Sequence, residues 1–278
     1  MITSGVRPFA LSIHSPAFLV RELLHRQRAL GLYGLISLAL AIPLLVLEQL
    51  DLRLLYDVNV WNKPMKFFVA TGLFALTAAW FFGYVELERR ASRLMRATVI
   101  MLIASASFEV IWITWQGAWG LDSHFNMSSS FYGTMFALMG VSALLLVGTS
   151  LPLAWEIFRH PTPSLPFDFV TAVGTGLIVS TVMGAVTGYT MAAHMSHSFG
   201  ATGGHVPLFG WNRMGGDLRI AHLLAIHAEQ AFPLLAWLVI CLKLPGRRWI
   251  IGTANLCYLA LIIATFGQAI SGHPLLPL

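Results

Sequence analysis

The sequence predicts an all-α, polytopic membrane bundle of seven transmembrane helices, with a cytoplasmic N-terminus and a periplasmic C-terminus. Three observations lead there. Of 278 residues, 57% are hydrophobic and only 10% charged, against about 25% charged in an ordinary soluble domain. Seven apolar stretches lie at 29–50, 64–85, 97–118, 131–155, 168–192, 218–242 and 249–270, each near the roughly 20 residues that cross the hydrocarbon core. They are too long for barrel strands, and lipid admits only helices or closed barrels. Finally, Lys and Arg divide unevenly between alternate loops. Twelve fall on one side (Arg7, Arg21, Arg26, Arg28, Arg89, Arg90, Arg93, Arg96, Arg159, Lys243, Arg247, Arg248) and five on the other (Arg53, Lys63, Lys66, Arg213, Arg219). The richer side is cytoplasmic. This composition excludes a cytosolic globular enzyme, a disordered chain and a disulfide scaffold. The net charge of +5 is a topology signal, and no nucleic-acid partner is expected.

The chain divides into an N-terminal segment, 1–28, and a single seven-helix domain, 29–278. In the first, SPAFLVRELLHRQR (15–28) reads as an interfacial amphipathic helix capped by Ser15, with Pro16 in its first turn. Phe18, Leu19, Leu23 and Leu24 can rest on lipid while Arg21, Arg26 and Arg28 face phosphates; a solvated lead-in is the alternative. The run from Ala29 is long enough to span and is kept as a mature helix. Pro43, Pro152 and Pro233 fall inside spans, where membrane helices tolerate them. Trp61, Trp115, Trp119 and Trp211 are placed in an outer aromatic belt. Ser180, Gly184 and Gly188 read as a packing stripe. Cys241 and Cys257 sit in apolar segments and are not expected to pair. The longest loop, 193–217, holds six glycines and lies outside, either as a functional loop or as a tether.

The histidines carry the sharpest chemical signal. Seven of ten (His124, His194, His197, His205, His222, His227, His273) fall on the outer side, against His14, His25 and His160 inside. Imidazole binds metals and shuttles protons near neutral pH. His124, His197, His205, His222 and His227 are the candidate metal ligands. His222 and His227 are five apart, so a regular helix separates them by about 140° and they should not chelate one ion together. Asp217 suits the N-cap of the sixth span; His227 shares a face with Gln230 and His222 with Glu229. In the third span Glu109, Trp112 and Gln116 form one stripe, and an intramembrane carboxyl is a functional candidate by default. Lys63 and Lys66 open the second span, where the helix dipole disfavours cations. Either an anionic partner offsets them or they snorkel to lipid phosphates. No Schiff-base lysine occurs in the last span, and no phosphate loop, paired-Cys site, HExxH or GxSxG is present.

The strings VNVWNKPMKF, SHFN, GHVPLFGW and GGDLRIAHLLAIHAEQ resemble a group of uncharacterised bacterial seven-span integral membrane proteins over about Val58 to Gln230, which implies the bacterial inner membrane. A fainter resemblance touches membrane b-type cytochromes and seven-span ceramidase-like zinc hydrolases. From the latter the chain departs, since His222 and His227 replace an HxxxH pair.

Three functional expectations follow. The first is a redox protein with haem b or a transition metal (zinc, copper or iron) at the periplasmic side. Lys63, Lys66 and Arg219 would pair with propionates, Gln116, Asn126 and Gln230 would complete the cofactor pocket, and a quinol would donate electrons. The second is a proton-coupled transporter or sensor using Glu109, Glu229, Gln230 and Gln268. The third is a zinc-dependent hydrolase acting on a lipid substrate, with Glu109 or Asp217 as base. The oligomeric state is left open.

Overall fold

The computed structural model describes residues 15–206 and 209–277; Arg7 and His14 lie outside the described residues. The chain is mostly helical. In order run α1 (Pro16–Arg26), α2 (Arg28–Leu50), a hairpin of β1 (Leu54–Leu55) and β2 (Val58–Asn59), α3 (Asn62–Phe82), α4 (Leu87–Arg90), α5 (Arg93–Trp119), α6 (Ser130–Gly148), α7 (Ser150–Arg159), α8 (Phe167–Ala193), β3 (Ser198–Phe199), β4 (Gly216–Asp217), α9 (Leu218–Ile226), α10 (Ala228–Cys241) and α11 (Arg247–Ile270). By length and composition six spans can cross a membrane, counting the 30 residues Ser130–Arg159 as one; they become seven if α9 and α10, bent by 51°, form one span. These apolar helices make the chain a membrane-type bundle.

The amphipathic helix forms as expected, with Ser15 accepting from the Phe18 amide. Gln27 then turns the chain, its side chain accepting from the amides of Ala29 and Leu30. That turn lays α1 against the end of α3. Arg26 does not reach outward to phosphates: it donates to the Trp80 carbonyl at 2.8 Å, covers the Trp80 ring at 4.0 Å and pairs with Glu22 at 2.8 Å. Open carbonyls at a helix C-terminus attract such a cation.

At the opposite end the β1–β2 hairpin turns on Tyr56 and Asp57, at φ 51° and 61°. The turn returns the chain so that Trp61 Nε1 donates to Asp51 at 2.8 Å. Trp61 is therefore only 9% exposed and belongs to the core, whereas Trp115 and Trp119 are 60% and 66% exposed, as a belt requires. Loop 193–217 is pinned. Strand β3 pairs antiparallel with β4, bringing the loop back to the start of α9. Gly216 permits this because a Cβ there would strike the Ala269 backbone of α11.

Charges gather at the end holding α4. Arg89 grips Glu156 at 2.7 Å, His160 contacts the same carboxylate at 2.9 Å, and Asp168 receives both Arg247 and Arg248. Between the two ends, one apolar core containing Leu30, Phe82, Met95, Leu102, Leu177 and Phe232 joins the helices.

Candidate functional site

Two polar clusters interrupt this apolar body. The first forms at the break between α9 and α10. His227 occupies the break, and the Ile226 carbonyl, with no helical partner, accepts from Ser180 Oγ at 3.0 Å. Gly184 of the packing stripe, and Gly176 one turn before it begins, make this approach possible: a Cβ on Gly176 would lie 2.8 Å from the Ala228 carbonyl, and one on Gly184 3.3 Å from Ile226. Ser180 is thus both a packing residue and a backbone partner. One residue into α10, Glu229 is 1% exposed. Its oxygens accept from Ser150 at 3.2 Å and from Gln230 Nε2 at 3.0 Å. Both donors are neutral, and no cation touches Glu229 among the described residues.

Hydrogen-bond counting fixes the direction at one of the two neighbouring imidazoles. Gln230 Nε2 gives its hydrogens to Glu229 and to Thr77, at 3.0 and 3.2 Å, so its oxygen must accept from His227 Nδ1 at 3.1 Å. His227 Nδ1 therefore carries a hydrogen. The Thr187 hydroxyl lies 2.7 Å from His222 Nδ1 and within reach of the backbone carbonyls of Met183 (2.8 Å) and Gly184 (3.1 Å). The two rings lie within electrostatic reach of one another.

The second cluster lies where α3 begins. Lys63 Nζ is 3.1 Å from His124 Nδ1, and Ser123 Oγ is 3.2 Å from that nitrogen. Loop 121–126 is held by α5: Trp112 Nε1 donates to the Ser123 carbonyl and Gln116 to the Asp122 carbonyl, both at 3.1 Å. Asn126 braces the turn through Asp122 and Ser128. Burial, then the Lys63 charge, holds His124 well below the ordinary imidazole value. Lys66 donates to the Phe209 carbonyl at 3.3 Å. Arg219 clasps Asp217 (Nη2 at 2.6 Å, Nε at 2.9 Å) and also reaches the Gly210 carbonyl. Burial pushes the Asp217 carboxyl up, but Arg219 and the Asn212 amide outweigh it and keep it below its usual range. His197 meets Ser198 at 2.9 Å, and burial with Arg219 lowers it to about 4. His205 pairs its backbone with Asn212 and is exposed.

Below this cluster Glu109 is 2% exposed, and its Oε1 has no hydrogen-bond partner. It lies within electrostatic reach of Lys63.

The expected residues thus fall into two groups. His124, His197, His205, Lys63, Lys66, Gln116, Asn126, Asp217 and Arg219 frame the outer cluster, with Glu109 beneath it. His222, His227 and Gln230 belong to the helix break. Among the described residues, no three of His, Cys, Asp and Glu are grouped as ligands of one metal ion. Sequence reasoning missed Thr77, Ser150 and Thr187. Ser150 carried a faint signal, since Thr149-Ser150 puts two adjacent hydroxyls inside the apolar run 131–155.

No known protein family matches this chain, and neither does any curated protein or solved structure.

Proposed function

We propose that this is a seven-span inner-membrane protein with a cytoplasmic N-terminus, working as a proton-coupled transporter in which Glu229 is the proton-binding group. The α9–α10 pair is its sixth span, broken at His227. The observation that carries the reading is a carboxyl, 1% exposed, in the first turn of a half-helix, held by the neutral donors Ser150 and Gln230 with Ser180 also in reach. Broken helices that expose backbone and aim a helix start at a charge are how membrane bundles build sites for ions and protons. Gln230 orients Glu229 and His227 together. The imidazoles of His222 and His227, beside this carboxyl, give a proton two further stations.

The test is a pH-difference infrared spectrum of the purified protein, with proton flux into proteoliposomes measured by an entrapped dye. A buried-carboxyl band should titrate in the wild type and vanish in Glu229→Gln, with flux falling at least tenfold, while Glu156→Gln keeps both. A band and flux unchanged by Glu229→Gln would sink the reading.

A haem or metal centre at the outer cluster is the second reading. His197 lies within electrostatic reach of His205, Lys63 and Arg219, so nitrogen ligands and cations suited to propionates share one region. His124 would supply a further ligand there. A visible absorbance spectrum and metal analysis of one purified sample separate the two readings.

A further inference from the structure

Glu109 is a buried carboxyl that the proton reading leaves unused. It stands in the outer half of α5, and its Oε1 has no hydrogen-bond partner. Its polar neighbour is Ser142 of α6, also buried, whose hydroxyl is within reach of the carboxyl and lies 3.2 Å from the Ser105 carbonyl. Ser105 is one helical turn before Glu109 on the same face of α5, so the three polar groups meet in the seam between α5 and α6. Around them Ala106, Val110 and Met139 are buried and apolar. An ionised carboxylate accepts on both oxygens and, in an apolar interior, must be met by donors or a cation. Oε1 is met by neither. Among the described residues no ion pair forms on Glu109. Helix α6 carries no charged residue, and its Tyr132 turns to Trp112. On α3, Lys63 acts on Glu109 from a distance, but its ammonium is bonded to His124 Nδ1 at 3.1 Å, and that of Lys66 to the Phe209 carbonyl. On α2, Glu48 receives Asn62. The charges of α4 and α7 gather at the opposite end, with Glu156 held by Arg89. A proton on Glu109 removes the charge that this seam cannot meet, and the field of Lys63 supports the ionised form once the proton leaves.

We propose that Glu109 is a second proton-binding site, in the seam between α5 and α6, which takes up and releases its proton independently of Glu229. The site goes beyond the proton function at Glu229 and does not depend on it. Ser142 is its positioning residue, since it reaches the carboxyl from the facing helix.

The test is made on the purified full-length Glu229→Gln protein in proteoliposomes, by infrared difference spectra taken from acid to alkaline pH. A buried-carboxyl band should remain in this background and should titrate. Adding Glu109→Gln should abolish it. Ser142→Ala removes the hydroxyl in reach of the carboxyl and should shift the frequency of the band without abolishing it, whereas Ser150→Ala, at the other carboxyl, should leave it in place. Gel filtration reports whether each variant is folded. Should Glu109→Gln not be recovered as folded protein, Glu109→Asp takes its place, because it keeps a carboxyl but moves it, and the band should change frequency. The proposal fails if the Glu229→Gln protein shows no titrating carboxyl band, if that band survives Glu109→Gln, or if neither Ser142→Ala nor Glu109→Asp moves it. The role of Glu229 is decided by a different comparison, wild type against Glu229→Gln, so the two sites stand or fall separately.

Discussion

Glu156 and His197 meet the cost of burial in opposite ways. Glu156 is fully buried and stays ionised between Arg89 and His160. Removing one partner of a buried pair strands the other charge, at about 3–5 kcal/mol when both are buried. Arg89 keeps 42% of its side-chain surface, so Glu156→Ala should cost less, about 2 kcal/mol, measured as a lower thermal midpoint in detergent. His197 escapes the cost by staying neutral. Its value falls from 6.5 to about 4 in the folded protein. Between those limits the unfolded chain binds a proton that the folded one refuses, so stability falls as pH drops from about 6.5 towards 4 and is unaffected above. His124 is shifted the same way by burial and adds to the effect. Melting curves from pH 7 to pH 5 should show a loss on the order of 1–2 kcal/mol, and His197→Gln should flatten that slope. An equal slope in the variant would show that His197 does not set it.

Among elements, close approach decides which glycines are replaceable. Gly216 is pressed against the Ala269 backbone where β4 meets α11. A methyl there cannot be absorbed by turning a side chain, so Gly216→Ala should detach the loop from α11 and lower both yield and thermal midpoint. Gly252, within α11, has nothing within 4 Å of its Cβ position. Gly252→Ala should be neutral or stabilise by about 0.5 kcal/mol, because alanine is the better helix former. The break between α9 and α10 rests on a similar contact. Ser180→Ala leaves the Ile226 carbonyl without its donor and should cost about 1 kcal/mol. The element pattern was largely legible from sequence: caps at Ser15 and Asp217 and a helix or a helix pair for each apolar run. The break at His227 was not, because Leu218 to Cys241 reads as one span in which Arg219, His222, His227, Glu229 and Gln230 are tolerated, and the one proline, Pro233, lies six residues beyond the bend.

For the whole molecule, the charge split between loops predicts which end faces the cytoplasm. In a background lacking Cys241 and Cys257, a single cysteine at Asp57 should react with an impermeant maleimide on intact spheroplasts. One at Pro163 should react only after lysis. The reverse pattern would invert the bundle and move the lysine cluster to the cytoplasm.

Sequence by itself supplied this chain's lipid-suited apolar runs, their helical character and the two ends at which its charges gather. Those follow from hydropathy and backbone hydrogen bonding in lipid, which act locally along the chain. Tertiary structure decided which polar groups meet. Ser150 and Glu229 are 79 residues apart and Lys63 and His124 are 61 apart, so only helix packing could join them. It also parted the histidines between the helix break and the outer mouth, since each ring's position follows from how its own helix or loop packs against α3, α5 and α8.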